Sequence, residues 1–247
     1  MTRSRLMGAV LPGLLMLTSC AHVQTQEPTG TAVTTLMIAR EGRLIPVMLY
    51  QEQARERRKL AVVAAGYGLG PENYTFISAE LVRRGYVVAA LPSHLASDQR
   101  IPSGPDVATL RRPFWENGVA DIRQVIATLR KRSVANSDPV LVVGHSHGGD
   151  IAMLLAQRHP GEVRQVFSLD NRRVAIPRTD APRICSVRSS DQIADPGVLP
   201  DTQEQRRYRM LIVQLADQRH DDMWDGATAE QKAAMIRALD DCLDRDR

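Results

Sequence analysis

The chain alternates two kinds of hydrophobic pattern along most of its length. Short runs of consecutive apolar residues are typical of strands that are buried on both faces. Such runs lie at residues 60–65, 86–92 and 140–143, and further strand-like segments that include polar residues lie at 163–169, 184–187 and 210–215. Between them, apolar residues recur every three or four positions, as in amphipathic helices, at residues 76–84, 113–129, 151–158 and 228–239. This alternation predicts an α/β domain with a mostly parallel, doubly wound sheet that is covered by helices on both faces.

Local signals at the segment ends refine this outline. Residues 36–40 and 46–50 flank a Glu-Gly-Arg turn, which predicts an antiparallel hairpin at one edge of the sheet. Pro113 suits the first turn of a helix, because proline lacks the amide proton that is unused there. Thr228 and Gln231 have the spacing of a capping box at the start of the last helix.

The first twenty residues have the layout of a secretory signal. Arg3 and Arg5 precede an apolar run at 6–17, which is too short to span a bilayer comfortably. The run closes with Leu17-Thr18-Ser19-Cys20, which resembles the bacterial lipobox, whose cysteine receives a diacylglycerol and becomes the new N-terminus. We therefore expect a lipoprotein signal peptide at 1–19. A plain signal peptide with an incidental cysteine is the alternative.

A lipid at Cys20 would anchor the protein to a membrane of the bacterial cell envelope, on the periplasmic or outer-membrane side. Residues 20–35 then form the lipidated cysteine and a flexible tether, and residues 36–247 form one folded domain. The remaining cysteines, Cys185 and Cys242, could pair in such an oxidising compartment. Because spacing alone does not establish geometry, we favour two buried free thiols and leave the pairing open.

A strand, a tight bend and a helix meet at Gly144-His145-Ser146-His147-Gly148, which fits the pattern G-x-S-x-G. A nucleophilic serine must stand clear of the sheet on a strained turn, where side chains on either side would collide with the strand and helix backbones. Glycine at the outer positions removes those collisions. The helix N-terminus behind the serine also offers partial positive charge to a developing oxyanion. Ser146 is therefore the candidate nucleophile.

A serine hydroxyl needs a base to take its proton. Of the six histidines, His220 lies in the loop between the last strand and the last helix, which returns to the sheet edge that carries Ser146. We expect it to be the base. The remaining histidines have simpler interpretations as tether, packing or loop residues, namely His22, His94, His145, His147 and His159.

The imidazole in turn needs a carboxylate that fixes its tautomer. Asp191 follows the strand at 184–187 and gives the chain order serine, aspartate, histidine, so we favour it as the acid. Asp170, at the end of the preceding strand, is the main alternative, and Asp195 is a weaker one.

These motifs resemble those of the α/β-hydrolases, from about residue 36 to the end of the chain. Gly66-Tyr67-Gly68 follows the third strand and the Ser146 bend follows the fifth. The resemblance implies an oxyanion hole made by two backbone amides, those of His147 and Tyr67. The histidine usual before the first loop glycine is replaced by Ala65, so the register of Tyr67 is open. The resemblance also implies only a minimal lid, because the stretch that carries it in many relatives is short.

The expected activity is that of a serine hydrolase that cleaves an acyl ester through a Ser-His-Asp triad and an acyl-enzyme, with an amide or a thioester as other possible bonds. An acyltransferase on the same fold and a non-catalytic binding lipoprotein are the alternatives. We expect no cofactor and no metal, because the histidines around Ser146 are too few for a closed site. The formal net charge of +4, which falls further if Arg3 and Arg5 are removed, does not indicate a nucleic-acid partner. The expected partners are a small-molecule or lipid-like acyl substrate and the membrane.

Overall fold

The computed structural model describes residues 30–52 and 58–244. The predicted signal peptide at 1–19 and the predicted lipidation site Cys20 lie outside these residues. Eight strands are present in the described part of the chain: β1 Thr31–Arg40, β2 Arg43–Glu52, β3 Leu60–Ala64, β4 Val87–Leu91, β5 Val140–His145, β6 Val163–Leu169, β7 Arg183–Arg188 and β8 Leu211–Gln214. The α-helices are α1 Thr75–Arg83, α2 Val107–Lys131, α3 His147–Arg158, α4 Thr202–Arg207 and α5 Ala229–Asp244.

All eight strands form one sheet in the order β1-β2-β4-β3-β5-β6-β7-β8. The β1–β2 and β2–β4 pairs are antiparallel, and every other neighbouring pair is parallel. The predicted α/β fold with an antiparallel hairpin at its edge is therefore confirmed. Since β3, β5, β6, β7 and β8 run in the same direction, the loops after them open at one edge of the sheet.

Two hydrophobic layers cover the sheet, and the alternation of side chains along each strand feeds both. In β3, Leu60, Val62 and Ala64 pack in the layer formed with α2 and α3, whereas Ala61 and Val63 pack in the layer formed with α1 and α5. Every residue of β3 is therefore buried, which explains why its sequence is an unbroken apolar run.

The hairpin is longer than the sequence indicated. Thr31 pairs with Glu52 at its open end, so residues 31–35 belong to β1. The predicted tether at 20–35 is wrong for these five positions. Their side chains are mostly exposed on the edge strand, so they show no continuous hydrophobic signal, and the backbone ladder holds them in place.

Helix α2 begins at Val107, two turns earlier than Pro113 suggested. The carboxylate of Asp106 accepts the amide hydrogen of Thr109 at 3.3 Å and caps the helix. Pro113 thus lies inside the helix, where it leaves one carbonyl without its usual donor. Residues 107–112, before the proline, are therefore helical as well.

Cys185 in β7 and Cys242 in α5 form a disulfide. The interpretation as two free thiols is therefore wrong. Residues of β7 and α5 pack in the same hydrophobic layer, and this contact brings together two sulfurs that are 57 positions apart. The side-chain amide of the buried Gln165 donates to the carbonyl of Cys242 at 2.8 Å and fixes the helix end beside the bond.

Candidate active site

Ser146 stands on a strained turn between β5 and α3, with φ 52° and ψ −115°. This region is unfavourable for a residue with a side chain, and the surrounding packing must enforce it. A methyl group on Gly144 would overlap the carbonyl of Gly148, and one on Gly148 would overlap the carbonyl oxygens of Ala64 and Ala65. The absence of side chains at these two glycines therefore lets α3 approach the strands closely enough to form the turn, as the sequence suggested.

The ring of His220 lies against the hydroxyl of Ser146, with 2.9 Å between Nε2 and Oγ. His220 begins a short 3-10 helix after β8, and only 7% of its surface is exposed. The loop reaches this position because Asp191 accepts the backbone amide hydrogen of His220 at 2.7 Å. The structure thus brings together the two residues that the sequence placed 74 positions apart.

The carboxylate on the other side of the ring belongs to Asp170, not Asp191. Asp170 Oδ2 lies 2.6 Å from His220 Nδ1. Asp170 directly follows β6, the neighbour of the strand that carries Ser146, and its φ of 57° turns the side chain toward the histidine. Asp191 lies three residues beyond the end of β7 and holds the backbone of His220. The prediction of Asp191 as the acid is therefore wrong in its geometry, and the alternative Asp170 occupies the position. Asp195 has no hydrogen bond to the ring or the backbone of His220 among the described residues. Its backbone amide donates to the carbonyl of Arg172.

Asp170 is fully buried and strongly hydrogen-bonded. Its two oxygens accept the amide and hydroxyl hydrogens of Ser189, at 3.2 and 2.7 Å, and the guanidinium of the buried Arg188 lies at 2.8 Å. Burial alone would raise the pKa of Asp170, but the His220 hydrogen bond and the Arg188 charge outweigh it and lower the pKa. Asp170 is therefore ionised beside the imidazole.

A buried chain of hydrogen bonds joins the loop after β3 to the loop of His220. His145 Nε2 faces the carbonyl of His220 at 3.1 Å and must donate to it. Burial, and then the charge of His220, lower the pKa of His145 to about 3, so its ring is neutral and Nδ1 accepts from the Tyr74 hydroxyl at 2.7 Å. That hydroxyl accepts the amide hydrogen of Gly66 at 2.9 Å. The sequence assigned His145 a packing role and gave no sign of Tyr74, because the contact joins positions 71 residues apart.

The two residues predicted to supply the oxyanion amides lie near the serine: His147 follows it in the chain, and Tyr67 lines the same pocket. His147 is the first residue of α3 and Tyr67 follows the Gly66 amide that Tyr74 holds. Neither amide hydrogen has an acceptor within the described part of the chain. The His147 ring contacts α2, where Trp115 Nε1 donates to its Nδ1 at 3.1 Å. Burial, and then the charge of Arg111, lower the pKa of His147 to about 3, so this ring is neutral.

A pocket of about 300 Å³ opens at Ser146. The loops after β3, β5 and β8 line it with Gly66, Tyr67, Gly68, Leu69, His145, Ser146, His220, Asp221 and Trp224. His94, predicted as a loop residue, packs its ring against the Tyr67 ring at the rim, with 5.1 Å between the centroids. Across residues 30–52 and 58–244, no group of three or more potential ligands is placed to hold a metal ion. No helix in the same ranges is long and apolar enough to cross a membrane.

Comparisons with known proteins agree with this fold. The family model described as serine aminopeptidase, S33, matches residues 55–169, which include the Ser146 turn and end one residue before Asp170. No curated protein matches the sequence.

Solved structures share the fold at low sequence identity. TT1662 from Thermus thermophilus superposes with a TM-score of 0.60 at 14% identity, over 87% of this chain and 98% of its own. Est1E from Butyrivibrio proteoclasticus gives 0.58 at 11% identity, over 85% and 98%. The ferulic acid esterase from Streptomyces cinnamoneus gives 0.59 at 17% identity, over 81% and 77%. The chain therefore has the α/β-hydrolase fold, and its residues 55–169 resemble the serine aminopeptidase, S33, family.

Proposed function

We propose that the protein is a serine hydrolase that cleaves small acyl esters through Ser146, His220 and Asp170. The observation that carries the proposal is the continuous series of contacts from Asp170 Oδ2 to His220 Nδ1, 2.6 Å, and from His220 Nε2 to Ser146 Oγ, 2.9 Å. Both distances are within the range of proton-transfer partners.

The reaction follows from these positions. Ser146 Oγ attacks the ester carbonyl while His220 Nε2 takes the hydroxyl proton, and the carboxylate of Asp170 stabilises the imidazolium. The negative charge on the carbonyl oxygen is received by the amide hydrogens of His147 and Tyr67. The tetrahedral intermediate collapses, His220 gives its proton to the departing alcohol, and an acyl group remains on Ser146. Water then gives a proton to His220 and attacks the acyl carbonyl. As the second tetrahedral intermediate collapses, the bond to Ser146 Oγ breaks, His220 returns the proton to that oxygen, and the acid is released.

The surroundings of the serine support an ester of modest size. The pocket beside Ser146 holds about 300 Å³ and contains the apolar side chains of Leu69 and Trp224. The ferulic acid esterase is named for ester cleavage and shares the fold.

We also propose that the enzyme acts in the bacterial envelope, anchored by lipid at Cys20. The lipobox-like sequence motivates this, and the disulfide between Cys185 and Cys242 supports it, since such bonds persist in oxidising compartments. Mass spectrometry of the mature N-terminus tests the anchor. An acylated Cys20 is expected, and an unmodified mature N-terminus at Ala21 would defeat the hypothesis.

A fluorophosphonate probe tests the catalytic proposal. The wild type should be labelled at Ser146 and should hydrolyse p-nitrophenyl acetate; Ser146→Ala should do neither. Ser103→Ala changes an exposed serine that is distant from Ser146 in the sequence. It is the matched control and should be labelled and hydrolyse the ester as the wild type does. Unlabelled wild-type protein would indicate a non-catalytic binding protein instead. Formation of a new ester from added alcohol, in preference to free acid, would identify an acyltransferase.

A further inference from the structure

Three arginines lie close to His147, the residue that follows Ser146, or to one another. Arg111 projects from α2, one turn before the Trp115 that contacts His147. Arg172 and Arg173 follow Asp170 by two and three residues in the loop after β6. We call Arg111, Arg172 and Arg173 the arginine cluster. It comes from two separate elements that meet at the N-terminal end of α3.

The arginine cluster has no carboxylate partner in an ion pair among the residues that the structure describes. Several partly buried arginines elsewhere in the fold are paired with carboxylates: Arg43, for instance, contacts both Asp98 and Asp121. By contrast, Arg111 donates only to the carbonyl of Pro102, at 3.1 Å.

Within the cluster, the Nε atoms of Arg172 and Arg173 are buried without an acceptor. Buried donors on a cation are costly to leave unpaired. An anion that enters the site would supply the missing acceptors.

The loop that carries two of these arginines is held rigidly. The buried Asp150 accepts the backbone amide hydrogens of Arg172, Arg173 and Val174, at 3.1, 2.9 and 2.9 Å, all on its Oδ1 atom. Asp150 attracts the charge of Arg173, and although burial raises its pKa to about 6, it is largely ionised at neutral pH. This single carboxylate, whose Oδ1 atom already accepts three backbone amide hydrogens, cannot balance all three charges of the arginine cluster.

The charges of the cluster reach one another and the neighbour of the nucleophile. Burial, followed by the charges of Arg173 and Arg172, lowers the pKa of Arg111. The charge of Arg111 in turn helps to lower the pKa of His147, the residue that directly follows Ser146. Three like charges close together repel one another, and an anion would relieve this repulsion.

We propose that the arginine cluster binds a carboxylate or phosphate group of the substrate, so that the enzyme prefers esters that carry negative charge. This inference rests on the proposed esterase function and adds the substrate class to it. Guanidinium groups match the geometry of both anions, so the chemistry on the protein side is the same for either.

The test compares charged and neutral esters in matched pairs. Mono-p-nitrophenyl succinate against p-nitrophenyl butyrate places a carboxylate on the acyl side. p-Acetoxybenzoate and p-acetoxyphenyl phosphate against phenyl acetate place a carboxylate or a phosphate on the leaving group. Arg173→Gln and Arg111→Gln should each lower kcat/KM for the preferred anionic ester by about 10–100-fold, since each removes a charge-assisted hydrogen bond, and should leave the neutral ester unchanged.

Arg112→Gln is the control, because it removes the same charge from an exposed neighbour that pairs with Glu116. Arg112→Gln should leave kcat/KM unchanged for both the anionic and the neutral ester. Arg173→Lys should restore part of the preference by keeping the charge. The substrate inference fails, while the esterase function stands, if the wild type cleaves neutral esters through Ser146 but has no higher kcat/KM for any anionic ester than for its neutral partner. It also fails if both cluster variants keep that preference. If the wild type cleaves no ester at all, both fail.

Discussion

Replacing Asp170 with asparagine should disable the site through the tautomer of His220. Asp170 accepts hydrogen bonds on both oxygens: Oδ2 from His220 and the Ser189 hydroxyl, and Oδ1 from the Ser189 amide, beside Arg188. An asparagine has one oxygen for these donors, and its amide group must face the other set. Because Arg188 is always protonated, the oxygen stays on its side and the amide points at His220 Nδ1. The imidazole proton then sits on Nε2, facing Ser146, and the ring cannot act as a base.

The expected loss in kcat is about 10⁴-fold, the size seen when the same change is made in a Ser-His-Asp triad. Asp191→Asn is the matched control, since it makes the same chemical change on the other aspartate of the His220 loop. The asparagine oxygen can still accept the His220 amide hydrogen, now 2.7 Å from Asp191, so the loss should stay below about tenfold.

The assay is steady-state hydrolysis of p-nitrophenyl acetate by both variants, with thermal unfolding measured in parallel. Unfolding matters because Asp170→Asn also weakens the buried contact with Arg188, at a cost of up to about 3–5 kcal/mol. Activity is therefore compared at a temperature where each variant is folded. A larger loss in Asp191→Asn than in Asp170→Asn would refute the assignment of the acid to Asp170.

Four further changes test other parts of the structure. Gly148→Ala forces a methyl group onto two backbone carbonyls and should destabilise the fold by about 3 kcal/mol or more in thermal unfolding, whereas Gly161→Ala, which has open space, should not. Cys242→Ser opens a loop of 57 residues and should lower the free energy of unfolding by about 2–4 kcal/mol, a difference that disappears when both proteins are measured under reductant. His147 has a pKa of about 3 when folded and the ordinary value of 6.5 when unfolded, so its contribution to stability is present above pH 6.5 and is lost as the pH falls toward 3. In denaturant titrations, the wild type should therefore lose about 2 kcal/mol more of its free energy of unfolding between pH 7 and pH 5 than His147→Gln does. The same pH profile in both proteins would contradict this. Tyr74→Phe leaves the Gly66 amide and His145 Nδ1 without partners, so it should lower the free energy of unfolding by about 1–3 kcal/mol and also lower kcat. An unchanged kcat would show that the Tyr74 hydroxyl does not help to align the site.

The sequence predicted the fold and the nucleophile because both depend on local patterns. Every residue of β3, β4 and β5 is buried, so each strand appears as an apolar run, and the glycines around Ser146 are required by contacts within a few residues of it. His220 was also predictable, since chain order places its loop at the sheet edge where Ser146 lies.

The acid and the disulfide were harder to predict, because they depend on geometry between distant segments. Asp170 and Asp191 each follow a parallel strand, and only the left-handed backbone of Asp170 decides which side chain reaches the ring. The pairing of Cys185 with Cys242 depends on how α5 packs on β7. The start of α2 had a local signal, the cap at Asp106, but Pro113 suggested a later start.

The hydrogen bonds around His145 give a physical reason for the two histidines beside the serine. His145 ends β5 and its ring, kept neutral by burial, connects Tyr74 and the loop of the oxyanion amide Tyr67 to the carbonyl of His220. His147 begins α3 on the opposite side and its ring, also neutral, packs against Trp115 next to the arginine cluster. A charged ring at either position would repel the imidazolium that His220 becomes in the proposed reaction. The two flanking histidines thus supply fixed hydrogen bonds without adding positive charge, which leaves His220 as the residue beside Ser146 that gains a proton.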